Sequence, residues 1–451
     1  MPRLLLITFH YPPRPTIGSL RPGALAKYLP RLGWEVLVVT PKAPAGPRPP
    51  AAVIETGYED VIEKWKGKIP GSDPRKPLRS QPKVPITKLG EKSFLNRTVD
   101  FAKSLLVYPE NESGWKSFAL DAIEKIDIPV DVILSTAPPI TTHLIAKEAK
   151  RKFDCPWIAD FRDLWATNLD NPHEPILHFR DRRLEKECLR SADVLVTVSG
   201  PWANRLRELY PEKPVHVITN GFDPDDFGNK DFANRAMPGN LFSISYTGQL
   251  YQGRRDPALL FEVIHELIQE GILAREKSRI SFYGPIEAWT QPLIERYDLQ
   301  GVVELCGVIS RQEALRRQQE SQVLLLLGWA NPQETGQHTG KLFEYFGSRR
   351  PILAVGGVRG VLSETLEETG TGIHALSKPQ LRQWLIEAYS EFRDRGEVRF
   401  RGQDAAIIKY THPEMARSYA ALLASYCRAD AGAAVGDSAA DLSGVGGGSR
   451  S

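Results

Sequence analysis

The chain has 451 residues, 41% hydrophobic and 25% charged, enough for two domains each with a core of its own. Fifty-eight Lys and Arg against 55 Asp and Glu leave a net charge of +3, too mild to argue for a nucleic-acid partner. Four unpaired-looking cysteines (Cys155, Cys188, Cys306, Cys427) and no apolar run near the roughly 20 residues of a membrane helix set aside disulfide, zinc and membrane-spanning classes, leaving a cytoplasmic setting as the expectation.

Residues 3 to 9 read as a buried strand, followed by a loop with a double proline and Gly18 and then a helical pattern. A glycine after a first strand lets backbone approach a ligand closely, so Gly18 is a candidate binding position, with a plain surface turn as the alternative. The loop lacks the G-x-G-x-x-G spacing of a dehydrogenase cofactor site. WEVLVVTP (34 to 41) predicts a second strand. Residues 42 to 100 then lose periodicity and read as an insertion. From Asp60 to Asp100 ten Lys or Arg stand against five acids, interleaved with Trp65, Phe94 and Leu95. That composition suits either peripheral contact with an anionic inner membrane face, where a lipid-linked acceptor would lie, or a solvated insertion.

Residues 130 to 150 repeat the strand–break–helix pattern, with His143 near the start of the helix. CPWIADFRDLW (155 to 165) ends in Asp160, Arg162 and Asp163. Ligands of open α/β sheets collect at the carboxyl ends of strands, which is where these residues fall. His143, Asp160 and Asp163 are therefore the candidate catalytic or substrate-orienting residues, a packing role for His143 being the alternative. The two aspartates have no third ligand near them in sequence, so no metal site is expected. A strand at 193 to 198 leads to Ser199 as a helix cap, and VHVITNGFDPDDF (215 to 227) closes the first half.

A polar stretch, about 223 to 240, reads as an interdomain linker, after which the βα pattern restarts. Strand 243 to 250, the loop YQGRRDP with Arg254 and Arg255, a helix over about 257 to 270, and the strands RISFYG (279 to 284) and VVELCG (302 to 307), the latter ending at Gly307 before Val308, follow. After a helix at 311 to 320 and the strand QVLLLLG comes GKLFEYFGSRRPILAVGG (340 to 357). Its helix starts after a loop, so unpaired N–H groups and Lys341 make a seat for phosphate, while Glu344 one turn on can accept from sugar hydroxyls. A nucleoside diphosphate is the ligand that this stretch predicts. The fold class expected is α/β: two Rossmann-like doubly wound domains facing a cleft, over 1–228 and 241–409, with 410–428 as a helix returning to the first domain and a disordered tail over 429–451.

ADVLVTVS, VITNGFDPDDF, YTGQLYQGRRDP, ELCGVISRQEAL and GKLFEYFGSRRPILAV, taken in this order and with the opening FHYPPRPTIGSLRPGALAKYLPRLGWEVLVVTP, resemble the GT-B retaining glycosyltransferases of the family 4 (group 1) type up to about residue 425. The resemblance implies a nucleoside diphosphate sugar, a UDP sugar as the expected donor, held mainly by the second domain. It implies an acceptor, a sugar or lipid-linked sugar, received by the first, and polysaccharide, glycolipid or glycoconjugate synthesis as the setting. Glu344 matches the second acid of the family's E-x7-E signature. The first acid's position is occupied by Gly336, with Glu334, Thr335, Gln337 or His338 as stand-ins. By the same resemblance Arg254 or Arg255 faces the diphosphate, with Lys341 as a second cation, and Gly307 and Val308 touch the base. A same-face displacement assisted by the leaving phosphate, without metal or other cofactor, is the implied chemistry. An epimerase or phosphorylase on this scaffold, and a non-catalytic nucleotide-sugar-binding subunit, are the alternatives.

Overall fold

The computed structural model describes residues 1–61, 108–168, 175–228, 241–329, 331 and 333–427. The basic stretch expected at 60–100, most of the linker and the tail from 429 lie outside them, apart from the first two residues of that stretch.

The first domain runs β1 (Arg3–Ile7), α1 (Leu20–Tyr28), β2 (Glu35–Pro41), β3 (Ala52–Thr56), α2 (Lys116–Glu124), β4 (Val132–Ala137), α3 (Thr141–Phe153), β5 (Trp157–Phe161), α4 (Pro175–Leu189), β6 (Val194–Thr197), α5 (Gly200–Leu209) and β7 (Val215–Val217). Its sheet is parallel, in the order β3-β2-β1-β4-β5-β6-β7. The run LLLI in β1 is apolar throughout because both faces are covered. Leu4 and Leu6 enter one core, Leu5 and Ile7 the other, as the two-residue period of a strand requires. The second domain runs β8 (Phe242–Thr247), α6 (Ala258–Gln269), β9 (Ser278–Tyr283), α7 (Thr290–Arg296), β10 (Val303–Gly307), α8 (Arg311–Gln319), β11 (Val323–Leu327), α9 (Gly340–Ser348), β12 (Ile352–Val355), α10 (Val361–Thr369), β13 (Gly372–Ala375) and α11 (Lys378–Arg395). Its parallel order is β10-β9-β8-β11-β12-β13, and β11 alternates between two cores in the same way, with Val323, Leu325 and Leu327 in one and Leu324 and Leu326 in the other. These are the two doubly wound α/β domains expected.

One element corrects the sequence reading. Ala52–Thr56 falls inside the stretch taken as insertion, yet it pairs in parallel with β2 as the edge strand. Its residues are mostly half-exposed, so the short AVIET carries little of the apolar signal that marks the central strands.

After α11 come the short α12 (Asp404–Ile407) and α13 (His412–Tyr426). Met415, Ala416, Tyr419, Leu422 and Leu423 form one helical stripe and join the core that holds Leu4, Leu6 and Leu25, so the last helix packs on the first domain. Each such leucine buried is worth about 1.5–3 kcal/mol. The crossing is pinned where the chain passes itself. Phe222 N–H donates to Tyr410 O at 3.0 Å and His412 N–H to Phe222 O at 2.8 Å. Gly221 is required there, since a Cβ would sit 2.6 Å from Tyr410 O. No helix among the described residues is long and apolar enough to cross a membrane.

Candidate functional site

In the second sheet β8 and β11 are neighbours from which the chain winds in opposite directions, and a crevice opens at their carboxyl ends. The loop after β8 brings Arg254 and Arg255; the loop after β11 brings Trp329, Glu334 and the start of α9. Arg255 is half-buried with its guanidinium 5.1 Å from the centre of the Trp329 ring, and its Nε is buried without a hydrogen-bond partner. Arg254 is exposed and lies 5.2 Å from the same ring. Lys341, in the first turn of α9, places its ammonium 5.0 Å from the Tyr246 ring centre and makes no hydrogen bond or ion pair among the described residues. Gly248, at φ +136°, keeps this space open, because a Cβ there would collide with the Lys341 side chain. Burial first, and then the neighbouring Arg255 charge, lower the Lys341 pKa to about 7, against a weaker pull from Glu344. Thr339, at the cap position of α9, has a buried hydroxyl with no partner.

Glu344 accepts from Arg311 Nε at 3.1 Å, and Arg311 also donates to Asp226 at 2.8 Å in the turn that leaves the first domain. Gly307 ends the edge strand β10, two strands from the crevice, and Val308 follows it; Gly307 has φ +74° and Val308 is 76% exposed. The structure thus brings Arg254, Arg255 and Lys341 together, keeps Glu344 one turn deeper, and leaves Gly307 and Val308 at the rim.

The first domain distributes its candidates differently. Asp160 is fully buried: Arg21 Nε and Nη2 donate to its two oxygens at 3.0 and 2.9 Å, and Thr136 Oγ1 donates at 2.7 Å. Arg21 goes on to the carbonyls of Ile218 and Thr219 and to the hydroxyl of Tyr419, tying α1, β5, the end of the first domain and α13 into one network. His143 is fully buried against Phe161, its Nδ1 2.7 Å from Ser135 Oγ, and burial lowers its pKa to about 3 against an opposing effect of Asp160. Both side chains are closed off from solvent and neither lines a pocket among the described residues, which corrects their assignment as groups that touch the substrate. The apolar face of α3 and the strand ends of a doubly covered sheet point inward, so Asp160 is fully paired within the core, while His143 is paired there through Nδ1 and its buried Nε2 has no partner.

Asp163 is half-buried and lines a cavity of about 400 Å³ with Glu110, Pro138, Trp165, His178 and Arg205. Trp165 Nε1 and Thr167 Oγ1, also in its wall, are buried with no partner. Glu110 accepts from Thr141 N–H at 2.6 Å at the start of α3, and burial raises its pKa to about 7 against those hydrogen bonds. Gly18 sits above, where its carbonyl accepts from Arg162 and a Cβ would lie 2.7 Å from that guanidinium.

The domains touch through α5 and the loop before α9. Trp202 Nε1 donates to Glu334 Oε1 at 2.8 Å, and the same oxygen accepts from Gly336 N–H at 3.1 Å. A Cβ on Gly336 would lie 2.5 Å from the Trp202 ring. A groove of about 410 Å³ shares Thr167, His178 and Arg205 with the first-domain cavity. It shares Glu334 and Thr335 with a small pocket bounded by Arg255 and Trp329, so one path joins the two domains' sites. Among the described residues no three His, Cys, Asp or Glu gather as a metal-ligand set.

Sequence reasoning missed Trp329, Trp202, Arg205 and Glu110. Trp329 follows an apolar strand directly, so the strand-end rule finds it. The others come together only through the packing of separate elements.

A family model described as "Glycosyl transferase 4-like domain" matches residues 20–221. WcaL of Escherichia coli, named as a colanic acid biosynthesis glycosyltransferase, is 26% identical over 142 residues, 31% of this chain and 34% of that protein. The match therefore spans about a third of the length of this curated relative. Sucrose-phosphate synthase from Thermosynechococcus elongatus superposes with a TM-score of 0.58 at 16% identity, over 94% of this chain and 99% of that one. HepE from Anabaena, in complex with UDP, does so with a TM-score of 0.58 at 12% identity, over 94% and 100%. These two likenesses show the fold. Residues 20–221 thus match a glycosyl transferase 4-like domain, and the chain over its described length has the two-domain GT-B fold of these glycosyltransferase neighbours.

Proposed function

We propose that the protein transfers a glycosyl group from a nucleoside diphosphate sugar to an acceptor hydroxyl. The observation that carries this reading is the pair Arg255 and Lys341: two half-buried cations, close enough to depress the lysine's pKa, with no carboxylate bonded to either among the described residues. Buried charges are normally paired, and a diphosphate beside the start of α9 would supply the missing negative charge. UDP is the nucleotide in the HepE complexes, including one with UDP-glucose, and a UDP sugar is the donor proposed for this chain.

As the bond from the anomeric carbon to the diphosphate breaks, negative charge grows on the leaving oxygens. Arg255, Lys341 and the first N–H groups of α9 stabilise it, with Arg254 at the entrance. Glu344 is assigned to the ribose hydroxyls; Arg311 engages one of its oxygens and leaves the other to the ligand. Gly307 and Val308 are assigned to the base at the rim, and Gly18, next to Ile17 whose side chain lies against Gly340 at the start of α9, to backbone contact with the donor. The acceptor occupies the cavity of Asp163, Trp165 and Arg205, its hydroxyl directed along the groove towards Glu334. Asp163 orients that acceptor, and Asp160 acts through the Arg21 network as a positioning residue. Retention by a same-face displacement, assisted by the leaving diphosphate, is the chemistry proposed. The protein's own cations serve the leaving group, so excess EDTA should leave the rate unchanged. Polysaccharide, glycolipid or glycoconjugate synthesis is the setting proposed, with peripheral membrane contact through 60–100 and a cytoplasmic location.

Release of UDP from UDP sugars, with and without candidate sugar acceptors, tests the reading. Acceptor-dependent release with a new glycoside of the donor's anomeric configuration is expected. Sugar-isomer formation without acceptor would instead mark an epimerase, and sugar-phosphate release a phosphorylase. Binding without any turnover would mark a non-catalytic subunit.

A further inference from the structure

The stretch 333–340 carries a carboxylate whose surroundings are unusual. Glu334 is half-buried and stands where the acceptor-side groove and the small donor-side pocket meet, lining both. One of its oxygens is held from two directions. Oε1 accepts the Trp202 indole N–H, which comes from α5 of the first domain, and the N–H of Gly336 in its own loop. Oε2 accepts no hydrogen bond among the described residues. A carboxylate fixed through one oxygen and open through the other is oriented for a further donor, and a sugar hydroxyl is the donor that this crevice would present.

The geometry at Gly336 makes the arrangement exclusive. The Trp202 ring fills the space of a side chain at 336, so an acid at that position and the present contact between domains cannot coexist. Ser199 Oγ, buried and unpartnered, lies 3.0 Å from the same Cβ position and closes the other side. Glu334, two residues earlier, is the carboxylate that this loop presents where the two pockets meet.

We infer that Glu334 is the residue that reads the donor's sugar, and that Trp202 of the first domain sets its orientation, so that sugar recognition is completed across the domain interface. This rests on the donor site proposed above but goes beyond it: the diphosphate cations lie wholly in the second domain, whereas the sugar contact needs both. Closure of the two domains then becomes a condition for recognising the sugar, though not for holding the nucleotide.

The test is calorimetric. Wild type, Glu334→Gln and Trp202→Phe are titrated with UDP, GDP, ADP and dTDP to find the nucleotide that binds. They are then titrated with the glucose, galactose, N-acetylglucosamine and glucuronic acid conjugates of that nucleotide. Phenylalanine keeps the ring beside Gly336 while removing the indole N–H. The expected result is that nucleotide affinity stays within twofold in both variants. Affinity for the best-bound sugar conjugate should fall about tenfold or more in Glu334→Gln, as for a lost hydrogen bond to a charged group of about 1.5–3 kcal/mol. Trp202→Phe should show a smaller loss of the same selectivity, and the double variant should lose no more than Glu334→Gln alone. Sugar conjugates that lose no affinity relative to the nucleotide in Glu334→Gln overturn the inference, as do nucleotide and conjugate affinities that fall together. A wild type that binds the nucleotide but no conjugate any differently also overturns it. Absence of any nucleotide binding refutes the donor site itself and is distinguishable from all of these.

Discussion

Arg21 and Lys341 both stand in the first turn of a helix, and both are cations removed from water, yet they are treated in opposite ways. Arg21 is 3% exposed and meets two carboxylate oxygens, two carbonyls and a tyrosine hydroxyl. Lys341 meets the face of Tyr246 and another cation, and its pKa falls to about 7. A buried charge whose bonds are complete holds a fold together, and one whose bonds are incomplete is waiting for a ligand. The first domain has spent its buried charge on joining α1, β5 and α13. The second keeps its charge for the crevice.

The contrast predicts different failures. Arg21→Met leaves Asp160 buried without its partner and should cost about 3–5 kcal/mol of stability by urea denaturation, the largest effect expected. Arg255→Ala should leave stability within about 0.5 kcal/mol and lower the transfer rate about 10²- to 10³-fold, as for one lost contact to developing charge. A fall in stability without a fall in rate would place Arg255 with Arg21 instead.

The pH dependence of Lys341 sharpens the comparison further. Its folded pKa lies below the ordinary lysine value, so the cost of burying its charge is present in full below pH 7 and is relieved as pH rises from about 7 towards 10.5. A bound diphosphate favours the charged form, so nucleotide affinity should fall up to tenfold per pH unit above 7, with proton uptake on binding at pH 8. Lys341→Arg should remove that slope. A slope unchanged in Lys341→Arg would show that another group titrates. The smallest effect belongs to Val308→Ala, at the exposed rim, where less than a threefold change in nucleotide affinity is expected.

Much of the fold was legible because strands covered on both faces, such as LLLI and VLLLL, are continuous apolar runs that leave little ambiguity. β3 was missed because an edge strand with half-exposed residues lacks that signature. At the crevice, Arg255 and Lys341 could be read because the start of a strand-end loop and of a helix are local features. Asp160 and His143 also sit at strand and helix ends, and the same local rule misassigned them. Their partners, Arg21 and Ser135, lie 139 and 8 residues away, and only the packed sheet reveals that Asp160 is fully paired and that His143 is buried with its Nδ1 engaged. Trp202 and Glu334 are 132 residues apart in different domains, so no local pattern joins them.

The central claim is that the unpaired cations of the second domain form a diphosphate seat. Thermal unfolding with UDP, GDP, ADP and dTDP, on wild type and on the Arg255→Ala, Lys341→Met double variant, tests it most directly. One nucleotide at 100 times its dissociation constant should stabilise the wild type by about 2.7 kcal/mol and leave the double variant unmoved. Equal stabilisation of both proteins, or of neither, would contradict the claim.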